Sequence, residues 1–214
     1  MLTLYGNLES GNVYKVRLLL SWLGLPHRRV EVNQVRGEPM SPAFRAINPI
    51  GKVPALRLGD GRVLTESGSI LYFLAQGTAW WPADRWDQAG VLRWMFFEQY
   101  SHEPAIAVNR YLLRFAGELS SFDAERIRFN DARGRHALQV MEDHLAGAEW
   151  LVGSGPTIAD IALYAYTHVA DEGGFELAAY PAVGRWLARV AALPGHVGLL
   201  DETSARPVER LVAG

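Results

Sequence analysis

Up to about residue 77 the chain switches repeatedly between strand and helix periodicity, and beyond "TAWWPADRW" helix periodicity continues alone. A chain patterned this way can be neither one uniform sheet nor one uniform bundle; it must join an α/β unit to an all-helical one. Residues 2 to 5 read as a strand. Val13, Val16, Leu19, Leu20 and Leu23 then recur at helical spacing until Gly24-Leu25-Pro26 stops the helix. "RRVEVN" alternates as a second strand, "KVPALRL" and "RVLT" predict a hairpin around Gly59-Asp60-Gly61, and "ESGSILYFLAQG" predicts a helix closed by Gly77. In the second half Val183, Trp186, Leu187, Val190 and Ala191 fall at i, i+3, i+4, i+7 and i+8, the stripe of a helix packed on a core. The predicted organisation is an α/β unit over residues 1–77, a linker over 78–86 and an all-helical unit over 87–214.

Composition removes several function classes. Its 21 basic and 23 acidic residues leave a net charge near −2 with no basic block, which excludes the electrostatic footprint of a nucleic-acid binder. "MLTLYG" enters the first strand without a basic, apolar leader, and no later apolar run reaches the ~18 residues of a membrane span. The expectation is a soluble cytoplasmic protein with no membrane partner. With no cysteine in 214 residues, disulfides, zinc–thiolate sites and mechanisms that use a protein thiol are excluded. His136 and His144, eight apart, show no metal-ligand pattern, and no metal is expected. Lysine occurs only at Lys15 and Lys52, a bias that reads as genome composition rather than chemistry.

Three junctions carry chemistry. In "LYGNLESGNVYK" a strand runs into a helix N-terminus, whose unpaired N–H groups suit an anion, and Ser10 and Asn12 add donors beside them; a plain helix cap is the alternative. In "NPIGKVPAL" the Val53-Pro54 pair stands at a strand start, where proline removes a ladder donor and invites a cis bond that turns the preceding backbone outward for a peptide to pair with. Lys52 is followed by Val53 rather than Ser or Thr, so this is no phosphate loop. In "TESGSI" Glu66, Ser67 and Gly68 open a helix after a strand, and such an end can hold an amino acid's carboxylate and ammonium together.

These three stretches, in this order and spacing, resemble the glutathione-binding domain of cytosolic glutathione transferases. "TIADIALYAYTHVA" and "YPAVGRWLARVAALPG" resemble the helical domain of the same family, and the likeness covers about residues 1 to 200. The resemblance implies a thioredoxin-like N-terminal domain, an all-α C-terminal domain, a homodimer, and glutathione as cosubstrate. It puts Ser10 where serine-type members hold the glutathione sulfur and makes Asn12 a second sulfur-side donor. It implies that Val53, before Pro54, pairs with the cysteinyl backbone, that Ser67 takes the γ-glutamyl carboxylate and Glu66 its ammonium, and that Lys52 reaches the glycine carboxylate. Tyr5 belongs to the strand and reads as packed rather than catalytic. "GEPMSP" departs from the pattern: related bacterial members place a His-Lys pair where Pro39 and Met40 stand, removing one contact to the glycine end.

A small hydrophobic electrophile is expected against the helix "WMFFEQYSHEPAIAVNRYLL", kinked at Pro104, with His102 and Arg110 as its polar candidates and solvated helix positions as the alternative for both. Thr157 and Asp160 of "PTIADI" predict a capping box with a folding role. The implied activity is activation of the glutathione thiol for attack on that electrophile. A glutathione-dependent disulfide or peroxide reductase is a second reading, and a non-catalytic interaction module of the same family is a third.

Overall fold

A computed structural model describes residues 1–201 and 208–211, which divide into two units: Met1–Gln76 with the described residues from Pro194 onward, and Gly77–Leu193.

In the first unit β1 (Leu2–Tyr5) leads through a loop into α1 (Gly11–Trp22), and the chain returns as β2 (His27–Glu31), parallel to β1 with Leu2 opposite His27. A 3-10 turn (Glu38–Met40) and α2 (Pro42–Arg45) precede β3 (Ala55–Arg57) and β4 (Val63–Thr65). These two form the antiparallel hairpin that the sequence predicts, closed by Leu58 N–H to Arg62 C=O at 2.8 Å with Gly61 at φ 91°. Only glycine takes that φ without a Cβ penalty. α3 (Ser67–Ala75) completes the thioredoxin-like arrangement. Leu4, Val13, Val16, Leu20, Phe44, Leu56 and Ile70 form its buried core, so the apolar stripe of α1 faces the sheet as its spacing requires. Tyr5 is buried in the same core.

The tail does not follow the predicted 87–214 boundary. A fifth strand, β5 (Val208–Arg210), pairs parallel to β2 and extends the sheet to the order β4-β3-β1-β2-β5. Ahead of it, the Tyr14 hydroxyl donates to the Val197 carbonyl at 2.7 Å and Arg17 Nη1 to the Leu199 carbonyl at 2.6 Å. Arg17 Nη2 also donates to the Asp201 carbonyl. Tyr14 and Arg17 are both 0% exposed. A buried guanidinium must be met by acceptors, and this tail supplies them from its backbone.

The second unit is helical: α4 (Arg85–Phe97), α5 (Glu103–Phe115), α6 (Ser121–Leu145), α7 (Ile158–Thr167) and α8 (Pro181–Ala191). Between α4 and α5 a single π turn, Glu98–His102, replaces a simple proline kink. Proline at 104 has no N–H to give the Tyr100 carbonyl, and Arg133 Nη2 donates to that carbonyl instead, at 3.2 Å. The Thr157–Asp160 capping box forms as predicted. No helix among the described residues is long and apolar enough to cross a membrane.

Candidate functional site

Strand register gathers the three junctions. Tyr5, the last residue of β1, stands opposite Ala55, the first of β3, and Ala55 in turn stands opposite Thr65, the last of β4. The loop of residues 6–10, the Val53-Pro54 pair and the Glu66-Ser67 pair therefore leave the sheet at one end. Gly6 permits the tight exit: a Cβ there would lie 2.3 Å from a Val13 methyl. Asn7 Oδ1 then accepts the Ser10 N–H at 2.9 Å, shaping the approach to α1.

Ser10 is the N-cap of α1, its Oγ accepting Val13 N–H at 3.3 Å, and it is buried. The cap and the functional reading coexist, because a hydroxyl that accepts an N–H keeps its own proton to donate. Two residues on, Asn12 Oδ1 accepts from Lys15 Nζ at 2.7 Å and from Ser67 Oγ at 3.2 Å. That last bond joins the N-terminal ends of α1 and α3, both positive ends of helices long enough to carry a useful dipole. The resemblance places Asn12 and Ser67 on different parts of glutathione; the structure links them directly.

The "NPIGKVP" loop is organised by Asn48, which is buried, donates through Nδ2 to the Lys52 carbonyl at 2.6 Å and accepts Ile50 N–H at 3.2 Å. Lys52 keeps an exposed side chain. The Val53-Pro54 peptide is cis, as predicted. Among the described residues neither the N–H nor the C=O of the buried Val53 has a hydrogen-bond partner, so this backbone edge is available to a peptide-like ligand. Met40 Sδ lies 2.8 Å and the Pro39 carbonyl 3.0 Å from where a Cβ on Gly51 would stand, so the divergent pair borders this loop.

Glu66, the residue before α3, is exposed at φ 63°, ψ 119°. It is the only non-glycine residue with positive φ among those described. Holding a glutamate there costs on the order of 1 to 3 kcal/mol, and such strain clusters at binding sites.

His102 and Arg110 lie in the other unit and are not solvated. His102 is 0% exposed with Nε2 2.9 Å from Thr167 Oγ1, and Arg110 is buried with Nε donating to Glu172 Oε2 at 2.7 Å. The 3-10 turn Ala170–Gly173, which carries Glu172, and α7, which carries Thr167, supply partners that a single helical stripe does not reveal. These contacts account for both side chains as packing and pairing groups of the helical unit. Lys15 and Asn48 are the site residues that motif reading passes over. The signal for Lys15 was its i+3 spacing from Asn12, which puts the two on one helix face.

Comparison with known proteins agrees with this geometry. Residues 10–76 match the family described as glutathione S-transferase, N-terminal domain, and residues 111–194 match glutathione S-transferase, C-terminal domain. A glutathione S-transferase structure from Pseudomonas fluorescens is 48% identical, with a TM-score of 0.90 over 94% of this chain and 99% of that one. The disulfide-bond oxidoreductase YfcG of Escherichia coli is 29% identical over 86% of this chain and 87% of its own length. The yeast prion protein Ure2p in complex with glutathione is 27% identical, with a TM-score of 0.79 over 91% of this chain and 90% of that one. Two domain matches in the expected order, on a fold that brings the Ser10, Val53 and Ser67 junctions to one sheet end, show that the chain belongs to the glutathione S-transferase family.

Proposed function

We propose that the chain binds glutathione at this sheet end and activates its thiol for nucleophilic attack on a small hydrophobic electrophile. The observation that carries the reading is the hydrogen-bonded meeting of the α1 and α3 N-terminal ends through Asn12 and Ser67, at the same sheet end as an unpaired Val53 backbone. Val53 pairs with the cysteinyl backbone; the first N–H groups of α3 and the Ser67 hydroxyl, its proton turned from Asn12 Oδ1 to the ligand, take the γ-glutamyl carboxylate, and Glu66 its ammonium. Lys52, a flexible exposed cation, takes the glycine carboxylate.

Ser10 and Asn12 face the sulfur. A free thiol with a pKa near 8.5 is only a few per cent thiolate at neutral pH, and the thiolate is the nucleophile. Lowering that pKa by about two units takes roughly 2.7 kcal/mol of preferential stabilisation. One neutral hydroxyl supplies about half of that at most, so the Ser10 hydroxyl, the Asn12 amide and the α1 N-terminus share the task. The thiolate then forms a C–S bond to the electrophile while the leaving group departs or a proton is taken up.

A second reading, reduction of a disulfide by two glutathione thiols, is favoured by the likeness to the E. coli disulfide-bond oxidoreductase and needs no protein cysteine. A panel of a chlorinated nitroaromatic, a hydroperoxide and a glutathione-capped disulfide separates the two. Turnover of the nitroaromatic supports conjugation, and turnover of the disulfide alone supports the second reading. Failure to bind glutathione by calorimetry refutes both.

The acting species is proposed to be a two-fold homodimer. Aromatic residues exposed on α3 (Tyr72, Phe73) and on α4 (Trp86, and Phe96 at 68%) support it. A monomer mass in sedimentation at micromolar concentration would contradict it.

A further inference from the structure

Among the described residues Ser10 makes three hydrogen bonds, and two of them belong to its own helix: Oγ accepts Val13 N–H at 3.3 Å and the carbonyl accepts Tyr14 N–H at 2.9 Å. These move with α1 as one body, so they do not fix where the hydroxyl lies against the end of the sheet. The third bond does. The Ser10 N–H donates to Asn7 Oδ1 at 2.9 Å, and Asn7 follows directly on Gly6, whose N–H donates to the Val30 carbonyl of β2 at 3.0 Å. An N–H only donates, so the Asn7 atom facing Ser10 is the oxygen, and Asn7 Nδ2 donates at the other end to Gln34 Oε1 at 3.0 Å. Gln34 sits in the turn after β2, closed by Gly37 N–H to the Gln34 carbonyl and Glu38 N–H to the Asn33 carbonyl, both at 3.1 Å. Both ends of the Asn7 amide are therefore engaged, one on the cap of α1 and one on the loop after β2, and a side chain rather than the backbone closes the turn of residues 7–10.

We infer that Asn7 is a positioning residue for the glutathione thiol, acting through Ser10: it sets the Ser10 hydroxyl against the sheet end, where Val53 and Ser67 hold the ligand, so that the hydroxyl meets the sulfur. The inference rests on the glutathione reading above and on its assignment of Ser10 to the sulfur. The ligand is gripped at the starts of β3 and α3, whereas the hydroxyl that faces its sulfur is carried by α1. Two partners on different elements keep a hydrogen bond only while both are held, since the bond weakens steeply as its distance and angle depart from ideal. In the step assisted the thiol gives its proton to water, and nothing is oxidised or reduced. A single neutral donor lowers the pKa of the thiol it serves by on the order of one unit. Asn7 carries no charge and works through that donor, so its effect cannot exceed the donor's own.

The test is ultraviolet titration of the thiolate of bound glutathione in the full chain, beside calorimetry of S-methylglutathione, which has no thiol proton. Ser10→Ala sets the ceiling, a rise of about one unit in the bound thiol's pKa. Asn7→Ala should raise it by about half a unit or more while S-methylglutathione affinity changes less than about twofold. In a Ser10→Ala background the same substitution should move the pKa by less than about 0.2 unit, because the group it positions is gone. Asn7→Ser should return about half of the shift, since a serine hydroxyl accepts an N–H three residues on, as Ser10 does from Val13. Should Asn7→Ala not fold, Gln34→Ala, at an exposed position, carries the comparison, with a rise of about 0.3 unit that is absent from the Ser10→Ala background. An unchanged or lowered thiol pKa in the folded variant, or a shift that persists in the Ser10→Ala background, overturns the proposal. Ser10→Ala with an unchanged pKa overturns the assignment of Ser10 and the role of Asn7 with it, whereas a wild-type chain that binds neither glutathione nor S-methylglutathione overturns the glutathione reading itself.

Discussion

Replacing Asp160 with alanine should destabilise the helical unit more than any single change at the candidate site. Its carboxylate is 1% exposed and accepts four hydrogen bonds: Leu151 N–H at 3.1 Å and Trp186 Nε1–H at 2.9 Å on Oδ1, Thr157 N–H at 2.8 Å and the Thr157 hydroxyl at 3.2 Å on Oδ2. Asp160→Ala orphans three buried N–H donors at once. Each orphan costs about 1 to 3 kcal/mol. Because the three share one carboxylate and a water can enter the space left, the sum falls short of additive, and about 3 to 5 kcal/mol is expected. That is a large fraction of the roughly 5 to 15 kcal/mol that holds a typical protein folded. Asp160→Asn keeps an oxygen for Leu151 and Trp186 but turns an NH2 group toward the Thr157 N–H, so about 1 to 3 kcal/mol is expected. With a urea slope of about 3 kcal/mol per molar, the alanine variant's midpoint should drop by about 1 to 1.7 M and the asparagine variant's by about half as much on average. Equal midpoints for the two variants would show that the donors facing Oδ1 carry none of the effect. A drop below about 0.3 M in Asp160→Ala would refute the reasoning altogether.

At the site, Ser10→Ala should raise the pKa of the bound glutathione thiol and lower turnover at neutral pH, since removing a donor to the charged form disfavours that form. Loss of turnover on Asn12→Ala with Ser10→Ala unchanged would reassign the principal sulfur donor to Asn12. Ser67→Ala should weaken glutathione by about 1 to 3 kcal/mol in calorimetry, and unchanged affinity would remove Ser67 from the site. Stability should fall as pH drops below the ordinary histidine value of 6.5, because burial, followed by the charges of Arg17 and Arg29, holds His27 below it against the bond to the Leu25 carbonyl. Nδ1 carries the proton to that carbonyl at 3.1 Å while Nε2 is buried without a partner, so a second proton would enter with no acceptor. A folded pKa below the unfolded one means stability is complete above 6.5 and lost through the folded value; urea midpoints of His27→Leu should be flatter over pH 7.5 to 5 than those of the wild type, and parallel curves would exonerate His27.

The strands and the two long helices of the first 77 residues were legible because each carries its own apolar period: Val13, Val16 and Leu20 face the sheet, and Gly61 marks a turn that needs a positive φ; the short 3-10 turn and α2, with no such period, were not. The tail was not legible for an equally physical reason. Val197, Leu199 and Asp201 bind α1 through backbone carbonyls, which any residue type supplies, and the one His196 ring that meets Tyr14 and Trp22 is too little pattern to announce the attachment. Pro104 showed that the helix could not run on unbroken. It could not show that the break would be a π turn, because the group that satisfies the released Tyr100 carbonyl is Arg133, distant in sequence and brought there only by packing. His102 and Arg110 mislead in the same way: on one helix they look like solvent-facing polar residues, and Thr167 and Glu172, which bury them, belong to other segments.

The site divides along a similar line. Ser10, Asn12, Val53 and Ser67 could be named as candidates because the ends of strands and helices advertise unpaired backbone groups, which a cap or a ligand must meet. Glu66 could be named for its charge but not for its φ of 63°, since a strained backbone is imposed by what surrounds a residue rather than by its type. Lys15 is the sharper case. The apolar stripe of α1 leaves positions 14, 15 and 17 on what reads as a solvated face, yet Tyr14, Lys15 and Arg17 are all buried. Covered on that side as well, the helix needs acceptors for its charged groups: Arg17 finds them in the tail and Lys15 in Asn12. Asn12, in the first turn of α1, is thus held by the burial of its own helix, so the placement of its amide depends on packing as well as on the motif that names it.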